Sequence, residues 1–109
     1  MSEKKELHDP FIKYLKSKNL KFIRKNWNNK NRQVDDGYPD FIIFLNEGIT
    51  LFVEFKTWEK YNLKNNGLND KQIEWEEYLT RKLHNYLLTY KVIFAINFVE
   101  IFLRNKEDE

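Results

Sequence analysis

Two apolar segments separated by three residues constrain this chain more than any other feature it has. Asp40-Phe-Ile-Ile-Phe-Leu45 and Ile49-Thr-Leu-Phe-Val-Glu-Phe-Lys56 flank Asn46-Glu47-Gly48, a pattern that reads as a β-hairpin. Both faces of each strand are apolar, as in a sheet covered by helices on both sides. A loop of odd length centred on Glu47 sets Leu45 opposite Ile49 and Asp40 opposite Glu54. A loop of even length sets Asp40 against Phe55 instead and dissolves the pair.

The remaining elements follow from periodicity. Leu7, Phe11, Tyr14 and Leu15 recur at helical spacing, and Asp9-Pro10 offers a cap and a first-turn proline. This predicts a helix over at least 10–18, with an earlier start near Ser2 left open. Residues 20–25 alternate as a short strand, followed by a polar loop over 26–37. A second polar loop covers 59–67, and Asn69 caps a helix running through Gln72, Trp75, Leu79 and Leu83. The apolar run 90–96 reads as a fourth strand, and Asn97 as the cap of a last helix carrying Phe98, Ile101 and Phe102. The expected order is α-β-β-β-α-β-α, an α/β fold with one mixed central sheet and helices on both faces. With 109 residues, the chain fits a single domain spanning 1–109.

Charge is distributed unevenly. Between residues 10 and 34 lie eight basic side chains and no acidic one, whereas 35–59 carries six acids against the single Lys56. A basic segment of this kind suits a phosphate backbone, although a solvated lysine-rich helix and loop has the same composition. Lys13, Lys16, Lys25, Lys30, Arg32 and Lys71 are the candidate phosphate contacts, which set affinity and orientation without reading sequence. Cysteine is absent, which excludes disulfides, zinc–thiolate sites and thiol chemistry. The apolar runs are too short to span a bilayer, and the N-terminal residues form no apolar signal segment. A cytoplasmic protein, or a nucleoplasmic one in a eukaryotic host, is therefore expected, neither secreted nor inserted in a membrane.

The chemistry concentrates in the hairpin. Directly opposed residues of an antiparallel pair have Cβ atoms roughly 4.5–5.5 Å apart, so two acids there repel unless a cation lies between them. Alternation puts Lys56 on the face of Glu54 and turns Phe55 to the other. Two carboxylates suit Mg²⁺ or Mn²⁺, and the cation can activate water and stabilise charge on a phosphodiester. The tripeptide Glu-x-Lys alone means little: chance predicts about 1.5 copies in this composition, and two occur. What distinguishes Glu54-Phe55-Lys56 is its place in an apolar strand, where charged side chains are costly. The alternative is a structural Glu54–Lys56 ion pair at a sheet edge.

These residues resemble a known family. Gly37-Tyr38-Pro39-Asp40, then Glu54-Phe55-Lys56, then Asn69-Asp70-Lys71-Gln72 look like the VRR-NUC (virus-type replication-repair nuclease) branch of the PD-(D/E)XK nucleases. The resemblance implies a restriction-endonuclease-like core, Mg²⁺-dependent DNA cleavage with Mn²⁺ as substitute, and homodimers acting on branched DNA such as Holliday junctions in DNA repair. It implies that Asp40, Glu54 and the Phe55 carbonyl bind metal, that Lys56 is the catalytic lysine, and that Gln72 belongs to the catalytic set. The alternative for Gln72 is a helix-start glutamine bonded to backbone. The family's first-helix acid falls on Glu3 or Glu6; helical geometry favours Glu3, one turn before Leu7 on the buried side.

Other candidates are less specific. His8 and His84 are lone histidines, more often surface or core residues than ligands. Trp27, Trp58 and Trp75 could stack on unpaired bases or pack in a subunit interface; Trp75 reads as core, and Trp58, just beyond Lys56, is best placed to meet DNA. The function expected is a structure-selective, metal-dependent endonuclease. A non-catalytic DNA-binding module of the same fold and a sequence-specific restriction endonuclease are the alternatives.

Overall fold

The computed structural model describes residues 2–25 and 37–107. Trp27, Lys30 and Arg32, with the loop expected around them, lie outside the described residues.

The first helical segment is continuous from the N-terminal side, but not uniform. A wide π turn over Lys4–His8 leads into α1, Asp9–Ser17, with the Asp9 amide donating to the Lys4 carbonyl. Pro10 accounts for the change of pitch: it has no amide to give to the carbonyl four residues back, and its ring crowds that carbonyl. Asp9, expected as a cap, is therefore helical backbone within the segment. Asn19, at a positive φ, closes α1, with the Leu20 amide reaching back to the Leu15 carbonyl in the geometry that satisfies orphaned helix-end carbonyls.

Strands β1 (Lys21–Arg24), β2 (Phe41–Phe44), β3 (Thr50–Phe55) and β4 (Asn85–Thr89) form one sheet in that spatial order. The first two pairings are antiparallel and β3–β4 is parallel, so the sheet is mixed, as expected. A three-residue turn, Asn46–Gly48, joins β2 to β3 with Glu47 and Gly48 at positive φ. The pairing runs Phe44↔Thr50 to Phe41↔Val53, the odd-loop register; one step further, Asp40 stands opposite Glu54.

One face of the sheet carries Phe41, Ile43, Leu51, Val53 and Phe55, packed on Leu7, Phe11 and Leu15 of the first helical segment and on Ala95 and Val99 of α4, Val92–Glu107. Phe11, Phe41 and Phe55 meet edge to face, with centroids 5.1–5.8 Å apart, each pair adding about 0.5–1.5 kcal/mol beyond area burial. The opposite face carries Ile42, Phe52, Glu54 and Lys56. It is approached by α3, Asp70–Arg81, which crosses between the parallel strands β3 and β4. The 59–67 segment, expected as a loop, contains the end of a one-turn helix, α2 (Trp58–Tyr61), and a tight turn at Lys64–Gly67.

Two expectations fail at the C-terminal side. The fourth strand is Asn85–Thr89, not 90–96, and α4 already begins at Val92, so Asn97 lies inside it rather than capping it. A run such as Val92-Ile-Phe-Ala-Ile is apolar all round, and periodicity alone cannot separate a buried strand from a buried helix. α3 ends at Arg81 instead of continuing through Leu83. Leu83 takes φ 61° and is 88 % exposed, while the Leu83 and His84 amides close on the Thr80 and Leu79 carbonyls. That is the helix stop normally signalled by glycine, built here on a leucine that reads as a continuation of the apolar stripe.

Gly37 fixes the approach loop against α3. It sits at φ 74°, and a Cβ there would lie 2.6–2.7 Å from the Lys71 and Gln72 backbone, far inside contact distance. Gly37→Ala should therefore lower unfolding stability by about 1–3 kcal/mol, read from chemical denaturation; an unchanged midpoint would show that the loop does not need this close approach.

Candidate functional site

The turn after Pro39 delivers Asp40 to the mouth of the β2–β3 pair, where its carboxylate is fully buried. Asp40 Oδ2 accepts the Phe55 amide at 2.9 Å, and its Oδ1 finds no hydrogen-bond partner among the described residues. Glu54 is buried beside it, with Oε2 likewise unpartnered. Burial, then the Asp40 charge, pushes the Glu54 carboxyl well above its ordinary value, against the opposing pull of Lys56 and Lys25. Buried carboxylate oxygens without donors are costly, and these two belong to acids on opposed positions.

Lys56 is buried on the same face, and its Nζ donates to Gln72 Oε1 at 3.2 Å. The same oxygen accepts the Asn69 amide at 2.9 Å, while Asn69 Oδ1 accepts the Gln72 amide. Gln72 thus closes the capping box of α3 and orients the lysine at once, so its two candidate roles coexist in one atom.

Glu3 enters from the π turn. His8 Nε2 lies 3.5 Å from Glu3 Oε2 and 3.5 Å from Asp40 Oδ2, and one ligand atom from each of Glu3, His8 and Asp40 falls within 4.8 Å of the others. Glu6 is exposed and is not part of that group. On His8, burial lowers the pKa but the Asp40 and Glu3 carboxylates outweigh it, leaving it raised. Arg24 Nε donates to His8 Nδ1 at 3.2 Å; in the neutral ring this leaves the proton on Nε2, facing the two acids.

His8 is the residue whose place beside Glu3 and Asp40 the sequence pattern did not reveal. In a regular α-helix, positions five apart diverge by about 140°, which separates Glu3 from His8. The π turn removes that divergence, and the signal for it was Pro10. Tyr86, beside Phe52 in the register, was also missed; burial and then the Glu54, Glu76 and Asp40 charges push its hydroxyl strongly up, so it stays protonated.

The basic candidates divide. Lys25 joins the site: its Nζ is 3.4 Å from the Tyr38 carbonyl and 5.0 Å from that ring's centroid. Lys13 and Lys16 are exposed on α1 and Lys71 is exposed at the start of α3. Trp58 is exposed, Trp75 half-buried against Tyr78, and His84 lies on Phe52.

The donor set fits a hard divalent cation: two buried carboxylates with free oxygens, a third from Glu3, and an imidazole at the margin. A family model described as the VRR-NUC domain matches residues 1–90, and the chain belongs to the VRR-NUC family. A nuclease-type function in DNA processing follows from that membership. No curated protein and no solved structure gave a match. Among the described residues no helix is long and apolar enough to cross a membrane.

The raised Glu54 carboxyl has a measurable sign. Its pKa in the unfolded chain is about 4.3, and the folded value is well above that. Between the two the folded state holds more protons, so stability is fully present below about pH 4.3 and declines as pH rises through the folded value. In EDTA, the wild type should lose stability relative to Glu54→Gln as pH rises from 4 towards 8, by about 1.4 kcal/mol for each pH unit that separates the folded and unfolded values. Parallel denaturation profiles for the two proteins would contradict this.

Proposed function

We propose that this protein is a metal-dependent endonuclease that hydrolyses DNA phosphodiester bonds and prefers branched DNA. The observation that carries the reading is the buried Asp40–Glu54 pair, with an unpartnered oxygen on each acid, beside a lysine held by Gln72.

Asp40, Glu54, the Phe55 carbonyl and Glu3 would hold Mg²⁺, or Mn²⁺ in its place, which when bound supplies an activated water and positive charge at the scissile phosphate. Lys56, desolvated and fixed by Gln72, presents its ammonium to a non-bridging oxygen or to the attacking water, where a preorganised charge acts most strongly. The His8 Nε2–H steadies the Glu3 and Asp40 carboxylates in one orientation. Water attacking phosphorus in line would break the P–O3′ bond, leaving a 5′-phosphate and a 3′-hydroxyl once the departing oxygen takes up a proton. Lys13, Lys16, Lys25, Lys30, Arg32 and Lys71 hold the DNA backbone, and Trp58 meets the substrate next to the lysine.

A homodimer is part of the proposal, because resolving a four-way junction takes two cuts. α4 leaves Ile93 and Ile101 each 54 % exposed, apolar side chains that a second copy would cover; a monomer in sedimentation at micromolar concentration would count against it.

The test uses a synthetic four-way junction and a linear duplex with Mg²⁺, Mn²⁺ or EDTA. Nicking of the junction should require the metal, and Asp40→Asn or Lys56→Ala should reduce it at least about 100-fold while binding is kept. Binding without cutting under every ion would favour a non-catalytic module, and cutting of long random-sequence duplex at fixed sites would favour a restriction enzyme.

A further inference from the structure

The strand that carries Glu54 leads through Lys56 into a surface cluster of aromatic rings that the catalytic proposal does not use beyond Trp58. Trp58 follows Lys56 by two residues. The Lys56 amide donates to the Thr89 carbonyl at 3.0 Å, which brings Tyr90, the next residue of the parallel neighbour, to the same end of the sheet. Tyr90 lies 4.6 Å from Trp58 and 4.7 Å from Tyr61, centroid to centroid, and Trp58 and Tyr61 are nearly parallel at 14°. Phe94 of α4 extends the cluster, edge-on to Tyr90 at 5.7 Å.

These rings do not form a core. Trp58 is 55 % exposed and Phe94 42 %, and Tyr61 and Tyr90 are half-buried, so the cluster stands at the surface. Cations border them: Lys91 Nζ lies 5.6 Å from the Phe94 centroid and 5.9 Å from that of Tyr90, and Lys60 is exposed on α2, next to the one acid of that helix, Glu59. Aromatic faces flanked by lysines fit a nucleobase and its phosphates, since every base has a π-face and stacking tolerates any sequence. The separation also fits. Two residues of chain span at most about 7 Å between Cα atoms, so the platform adjoins the site.

We infer that Trp58, Tyr61, Tyr90 and Phe94 form a stacking platform for an unpaired base of the substrate, one or two nucleotides from the scissile phosphate. The inference rests on the nuclease reading above and deepens it: a base left unpaired or splayed at the branch point of the substrate stacks on the platform, and a blunt duplex, whose bases are already stacked, cannot use it.

The test is a binding measurement in EDTA, separate from cleavage. Fluorescence anisotropy is read on a blunt hairpin duplex and on the same duplex with an oligothymidine arm of either polarity, with 2-aminopurine as the first unpaired base in a parallel set. Wild type should favour an armed duplex, and 2-aminopurine emission should change on binding. Tyr90→Ala should lose about tenfold in affinity for the armed DNA with blunt-duplex affinity unchanged, Trp58→Ala should lose at least as much on the armed DNA, and Trp58→Phe should restore most of that loss. Equal losses on both DNAs, or no loss on either, would overturn the platform and leave the rings as packing between α2 and α4. If a variant proves unfolded by circular dichroism, the wild-type 2-aminopurine response decides alone. Arm preference without any metal-dependent cutting would uphold the platform and sink the nuclease reading; cutting without arm preference would do the reverse.

Discussion

Two acids forced to face each other inside a hairpin are the constraint on which the rest of the site depends. The three-residue turn at Asn46–Gly48 sets a register in which Asp40 stands opposite Glu54, and the surrounding core leaves neither exposed. Burial first, and then the facing Asp40 charge, push the Glu54 carboxyl up, so that without a cation its neutral form is favoured. The fold therefore carries a cost at this point that hydrophobic packing on the other face must offset, and a cost of that kind marks the pair as a candidate functional site.

Each neighbouring feature serves to hold that pair. The Phe55 amide takes one oxygen of Asp40, so the strand bearing Glu54 also orients its partner. Gly37 lets the approach loop touch the first turn of α3, and that turn supplies Gln72 to Lys56. On the other side the π turn before Pro10 brings Glu3 and His8 to Asp40. Three separate segments thus converge on the end of β3.

Much of this was legible in the chain. Alternation and loop parity place Asp40, Glu54 and Lys56, because strand register is a local property once the turn is known. The capping pattern Asn69-Asp-Lys-Gln72 places Gln72 for the same reason. What was not legible depends on departures from regular geometry. His8 needed a helix of altered pitch, and the end of α3 needed a leucine in a left-handed conformation. The last strand and helix were misplaced because 92–96 is apolar on all sides, so the choice between strand and helix was made by packing against α1 and the sheet, not by the sequence pattern. The aromatic platform required β4 to be known, since only its parallel pairing sets Tyr90 beside Trp58.

Anomalous diffraction from a crystal soaked in Mn²⁺ tests the paired-acid site most directly. A peak is expected about 2.1 Å from a carboxylate oxygen of Asp40 and of Glu54, lost in Glu54→Gln. A peak bound only by Glu3 and His8, or no peak at a concentration that supports cleavage, would contradict it.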